Sequence, residues 1–199
     1  MPNPKKITEI PTIDVSMVMV ETDDESYILD TANKIAVEPQ IETTDAVKLI
    51  IKNRLIAQKP EESTITGNKI TLTDNVFAPE LVKMLQGGTI KYWTDAQHTA
   101  TSTEPTTFGI AGYTPPVAGS GEKGKVFKLH AFSAQYDTSG QIVQYEKITY
   151  PNCQGVPVAF GSEDGAFRAS EYTINSAPKS DEAPYDISYV STLPTVAAG

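Results

Sequence analysis

The run Gly119-Ser-Gly-Glu-Lys-Gly124-Lys125 opens as a phosphate-binding loop does, with the GxxxxGK spacing that lets backbone amides and a lysine cradle phosphate. The next position breaks the pattern. Val126 stands where Ser or Thr would hold magnesium, and a β-branched, aromatic run follows where a helix N-terminus is needed. The spacing therefore predicts a mobile Gly-Ser-Lys loop tip. His98 and His130 have no second ligand at helical or loop spacing, so a metal site would have to be assembled from distant segments, and His130 reads as a strand residue. Cys153 is the sole cysteine, which excludes an intrachain disulfide. It lies in PNCQG without a nucleophile elbow, as a free thiol in a turn; pairing with His130 would have to come from the fold. The acidic clusters Asp23-Asp24-Glu25, Glu61-Glu62, Glu163-Asp164 and Asp181-Glu182 fall at expected turns, and none has the order of a calcium loop. A carboxylate pair for sugar hydrolysis could be made only by the fold. No catalytic, cofactor-binding or metal-binding residue is assigned, no cofactor is expected, and the chain is read as a non-enzyme.

The elements that would have to position such groups come from a chain of 199 residues, 39% hydrophobic and 21% charged. At about 150 residues per domain this suits one globular domain. A net charge of −9 works against tight binding to a phosphate backbone or an anionic membrane. Lys5 and Lys6 are not followed by the apolar run of about 7 to 15 residues that a secretory signal needs. No stretch reaches the roughly 18 apolar residues of a spanning helix. The expectation is synthesis in the cytoplasm without export by the general route.

Period-two alternation predicts a strand over Ile13 to Val20 and a long strand with one charged face over Ala46 to Ala57, for which a helix is the competing reading. Gly67-Asn68 between β-branched runs predicts a hairpin over Ser63 to Thr73. One helix is expected after Asp74 or Asn75 as the cap, with Pro79 in its first turn, Phe77, Leu81, Met84 and Leu85 on one face, and Gly87-Gly88 as its stop. Thr94 to Lys125 reads as a long loop without aliphatic periodicity. Val126 to Tyr136 and Gln141 to Tyr150 predict a second hairpin about Asp137 to Gly140, followed by a turn at Glu163-Asp164-Gly165 and strands over Phe167 to Asn175 and Tyr185 to Val190. The fold class is mainly antiparallel β, a sandwich with one short helix. Residues 1–9 are expected to be a flexible arm, 10–190 the domain and 191–199 a flexible tail.

The closing segment carries Glu171, Tyr172, Ile174, Asn175, Ala177 and Pro178, then Pro184, Tyr185, Ile187 and Tyr189. These read as E-[FY]-x-I-x-[AS]-x-P followed by Pro-Tyr-x-I-x-Tyr. With the helix segment Asn75 to Gly88 and the order of elements over Ile10 to Val190, the sequence resembles the major tail tube proteins of long-tailed phages of Gram-positive hosts. The resemblance implies long hairpins that join those of five neighbours into a hexameric ring with a continuous inner β-barrel. The rings stack into a hollow tube, in a phage tail or a phage-tail-like particle, that passes DNA with no chemical step. It implies a tape-measure protein, tail terminator and distal tail proteins as partners, a sheath protein if the tail contracts, DNA only transiently in the lumen, and no membrane. It places the chain in the virion, assembled in the bacterial cytoplasm.

The reading from the residues leaves two other classes open: a surface carbohydrate-binding or adhesin β-sandwich, against which the lone Trp93 argues mildly, and a hydrolase using Cys153 or a carboxylate pair. If a ring forms, a DNA conduit should repel its cargo. The bore is then expected to be acidic and small-polar, with Lys48, Lys52, Arg54, Lys125 and Lys128 turned outward or paired. Assembly is expected through the edges of the long hairpins, Ala46 to Ala57 with Ser63 to Thr73 and Val126 to Tyr136 with Gln141 to Tyr150, so a proline at Leu129 or Ile148 is expected to abolish tubes.

Overall fold

The computed structural model describes residue 6 and residues 10–93, 109–161, 164–165 and 169–195. The strands are β1 (Ile13–Glu21), β2 (Ser26–Leu29), β3 (Ala32–Thr44), β4 (Val47–Ile51), β5 (Arg54–Lys59) and β6 (Glu62–Asp74) before the helix α1 (Pro79–Gln86). After it come β7 (Thr89–Tyr92), β8 (Ile110–Thr114), β9 (Phe127–Tyr136), β10 (Ile142–Gly155), β11 (Ser170–Ser176) and β12 (Asp186–Val190). The main sheet runs β2-β1-β9-β10-β11-β6-β3, all antiparallel, with β12 also on β10. β1 and β3 also touch, although they are not hydrogen-bonded neighbours, so the sheet folds over into two layers. The mainly antiparallel β sandwich with one short helix is what alternation called for.

β10 turns the corner. Its first part pairs with β9 and β12; after an irregularity between Tyr150 and Cys153, where Asn152 takes φ 49°, its end pairs with β11. Val18 and Val20 from one layer, Ile70, Leu72, Tyr172 and Ile174 from the other, and Leu81, Val82, Met84 and Leu85 of α1 then share one core. The helix is amphipathic as expected, but its cap is not the predicted one. Ala78 holds the N-cap position without a side-chain bond, and its N–H donates to the Tyr172 hydroxyl at 3.3 Å. Asp74 is buried and accepts instead from the Thr31 hydroxyl and the Val76 N–H. Gly87, at φ 83°, ends the helix.

Two predicted elements exchange roles. The expected long strand over Ala46 to Ala57 is a hairpin: Ile51 opposes Arg54, leaving Lys52 and Asn53 at φ 48° and 59° as a two-residue turn. The expected hairpin at Gly67-Asn68 is continuous strand within β6. Gly67 is required there by close approach, since a Cβ would sit 2.5 Å from the Ser176 carbonyl oxygen. The sequence reading also missed β3, a strand of 13 residues.

The expected loop over Thr94 to Lys125 is corrected where it is described. Ile110–Thr114 is a strand paired with β7, and the segment after it docks on the end of α1: Lys125 N–H donates to the Met84 carbonyl and Gly88 N–H to Glu122 Oε1. Residues 94–108 lie outside the described set, as do most of the arm 1–9, the tail residues 196–199, Glu163 and Phe167.

Candidate assembly surface

β3 and β6 are each 13 residues long, against a usual strand of about 5 to 6. At roughly 3.3 Å per residue they span about 40 Å, and only half of that lies on the domain. From Asp74 back to Asn68 side chains alternate into the core, and Ala32, Ile35 and Val37 of β3 pack with them. Beyond a register shift between Gln40 and Ile41, opposite Ile65 to Gly67, the ribbon is exposed and continues into β4–β5. Ile41, Val47, Leu49, Ile50, Ile51, Leu55 and Ile56 are 51–65% exposed along it. Exposed clustered aliphatics of this kind mark an interface. An isolated two-stranded ribbon is marginal in water, and this outer half of the ribbon is held only through its continuity with the main sheet among the described residues.

Covering a half-exposed Leu or Ile is worth on the order of 1 kcal/mol, so the arm offers on the order of 7 kcal/mol gross per copy. Association alone costs about 4 to 15 kcal/mol. Burial of the tip would thus not suffice by itself; backbone pairing and several contacts per copy are needed. The main sheet supplies unpaired edges for this on β2, β3 and β12, as far as the described residues extend. β12 adds a second exposed apolar stripe, Tyr185, Ile187 and Tyr189, at 42–47%.

The face of the arm directed away from the core differs from the apolar side. From Ala36 outward it presents Glu38, Gln40, Glu42 and Thr44 on β3, opposite Thr71, Lys69, Gly67, Thr64 and Glu62 on β6. Lys69 is paired with Glu38 at 3.8 Å.

The residues singled out for chemistry are not brought together. Gly124 of the GxxxxGK run packs on α1, where a Cβ would collide with the Leu85 carbonyl, and Lys125 pairs with Glu25 at 3.4 Å. That ammonium holds the Glu25 carboxyl below its usual range. Glu122 to Lys125 clasp the helix end, while Gly119 to Gly121 are an exposed loop tip with nothing packed against their glycines. His98 lies outside the described residues. His130 is on β9 as expected, buried, with one ring nitrogen 2.9 Å from Thr149 Oγ1 and the other 2.9 Å from Glu21 Oε2. Burial, partly opposed by Glu21, holds its imidazole below its ordinary range.

Cys153 is in β10, and burial pushes its thiol up to about 12. The thiol donates to the Tyr150 carbonyl, so no bond joins it to His130. Asp23 and Asp24 lie in the bend between β1 and β2, where the Thr22 hydroxyl accepts the Asp24 and Glu25 N–H groups. Asp164 and Asp181 also fall in turns. Glu62 opens β6 and pairs with Lys59 at 3.6 Å, and Glu182 accepts the Lys179 N–H. No helix among the described residues is long and apolar enough to cross a membrane.

Sequence reasoning placed an assembly hairpin over Ala46 to Ala57 with Ser63 to Thr73, and missed β3 and the β4–β5 turn that make this region the arm. Its signals were the Lys52-Asn53 turn and the aliphatic residues flanking it on both sides.

No protein-family model matches the chain, and no curated protein matches it. Among solved structures it is similar to a chain in a cryo-EM structure of the sheath-tube complex of PVC, an extracellular contractile injection system, in the extended state. The identity is 12%, over 92% of this chain and 93% of that one, with a TM-score of 0.35. It is also similar to a chain in a cryo-EM structure of the anti-feeding prophage baseplate, at 8% identity over 96% of this chain and 98% of that one, with a TM-score of 0.34.

Proposed function

We propose that the chain is a structural subunit of a phage-tail-like tube, assembling into stacked hexameric rings that form a conduit for DNA. The observation that carries this is the arm: a long ribbon whose far half exposes clustered aliphatics, which neighbouring copies of a self-assembling subunit would cover. The resemblance of the closing strands to tail tube proteins supplies the sixfold ring and the partners: tape-measure, terminator and distal tail proteins, and a sheath protein where the tail contracts. The work is mechanical and electrostatic, without a catalysed reaction, in a particle assembled in the bacterial cytoplasm.

In the ring, the polar face of the arm lines the bore. Its Glu38, Glu42 and Glu62, with small Thr and Ala neighbours, suit a wall that repels phosphate, and its Lys69 is neutralised by Glu38. Lys48, Lys52 and Arg54 are exposed at the tip, beyond the Glu38 to Glu42 stretch of β3.

Negative-stain imaging with size-exclusion chromatography of the full chain tests the reading. Sixfold rings or hollow tubes are expected. A monomer at all concentrations contradicts it and returns the surface-binding and hydrolase classes to the front. DNA retained by tubes in a salt-sensitive way would overturn the repelling bore.

A further inference from the structure

We propose that the basic tip β4–β5 of one copy seats on the edge strand β12 of a second copy, a contact between unlike surfaces. It rests on the tube reading and names a contact that reading leaves open. Every charged residue from Val47 to Lys59 is a cation, in a chain of net charge −9. Lys59 is paired with Glu62, whereas Lys48, Lys52 and Arg54 are exposed and make no ion pair among the described residues. Cations set among exposed aliphatics call for a partner that is both acidic and apolar.

β12 meets both demands. Tyr185, Ile187 and Tyr189 expose their side chains, and Asp181, Glu182 and Asp186 stand exposed in the same segment against a single cation, Lys179. On β10, Glu146 lies opposite Tyr189, with Lys147 beside it opposite Ser188. The outer edge of β12 is unpaired among the described residues, so a strand of the incoming hairpin can add to it by backbone bonds.

The other surfaces fit less well. β2 has Asp23, Asp24 and Asp30 nearby, but Tyr27 and Ile28 are half-buried and Leu29 is buried, which leaves no apolar ground. A tip-to-tip contact would set Lys48, Lys52 and Arg54 against their own copies, a repulsive arrangement. A head-to-tail contact between tip and β12 also propagates from copy to copy, as a closed ring or stack requires.

The test compares the critical concentration for assembly of four full-length chains at low and high salt: wild type, Lys48→Glu with Arg54→Glu, Glu182→Lys with Asp186→Lys, and all four changes together. These are exposed positions, and circular dichroism checks that each chain folds. Each pair of reversals should raise the critical concentration about tenfold or more at low salt, less at high salt, and the combined chain should return to near wild type. Leu49→Cys with Ile187→Cys should also give disulfide-linked oligomers, with the buried Cys153 not competing. Unchanged critical concentrations, or rescue of the tip reversals by Asp23→Lys with Asp24→Lys in place of the β12 changes, would overturn the contact and leave the tube reading standing. A wild-type chain that forms neither rings nor tubes overturns both.

Discussion

The hairpin β9–β10 has strands of 10 and 14 residues and the arm β3–β6 strands of 13 and 13, yet Phe132 within β9 is 1% exposed and Ile41 on the arm 58%. Both are long antiparallel ribbons. What separates them is their flanks: β9 lies between β1 and β10, and β10 also receives β12 and β11, whereas the far half of the arm has only its own two strands. Strand length therefore does not by itself mark an assembly element. A long strand with neighbours on both sides is core, and the same length without them is an interface in waiting.

Side-chain truncation should separate the two ribbons most strongly. Phe132→Ala should cost about 3 to 5 kcal/mol of subunit stability in urea unfolding. Ile50→Ala, at 60% exposure, should stay within about 0.5 kcal/mol while impairing assembly. Equal losses would mean that the arm is already packed in the free subunit.

The base of the arm comes next. Gly67→Ala places a Cβ against the Ser176 carbonyl and should cost about 1 to 3 kcal/mol in the same assay, as overpacking does. It should also raise hydrogen exchange at Asn68 and Lys69. At the far end, Asn53→Gly relieves a positive φ and should stabilise the hairpin by no more than about 1 kcal/mol, read as slower exchange in β4 and β5.

The smallest expected effect belongs to β9. The folded His130 imidazole titrates below its ordinary 6.5, so the unfolded chain takes up its proton first. Stability is then complete above about pH 6.5 and falls as pH drops from there toward the lower folded value. His130→Gln should flatten that slope, and an unflattened slope would assign it to other groups.

These contrasts also show what was legible. β1, β9–β10 and β12 were readable because one face of each alternates and because Asp137, accepting from the Ser139 and Gln141 N–H groups, announces its turn. The Leu81, Met84 and Leu85 spacing gave α1 for the same reason. The arm was unreadable in detail. Its flanking aliphatics had no core to alternate against, so AVKLIIKNRLIA looked like one strand, and a lysine at positive φ is an uncommon turn residue.

Gly67 carried a turn signal although its cause, the Ser176 backbone, lies more than 100 residues away. β3, with Pro39 and three glutamates or glutamines in its outer half, had too little apolar content to register. The two proline positions chosen from sequence fare similarly: Leu129 is paired with both Val20 and Tyr150, and Ile148 with both Ala131 and Ile187. Proline there tests folding before it tests assembly.

The corner in β10 has a mechanical consequence. Because one covalent strand is laced to β9 and β12 in its first part and to β11 in its last, the two layers are not merely glued by side chains that could slide under load. A pull on the arm passes through β6 and β11 into β10 as shear on rows of backbone hydrogen bonds, which fail together, and then along the chain itself. A tube wall made of such subunits would be stiff along its strands and would yield first at the joints between copies.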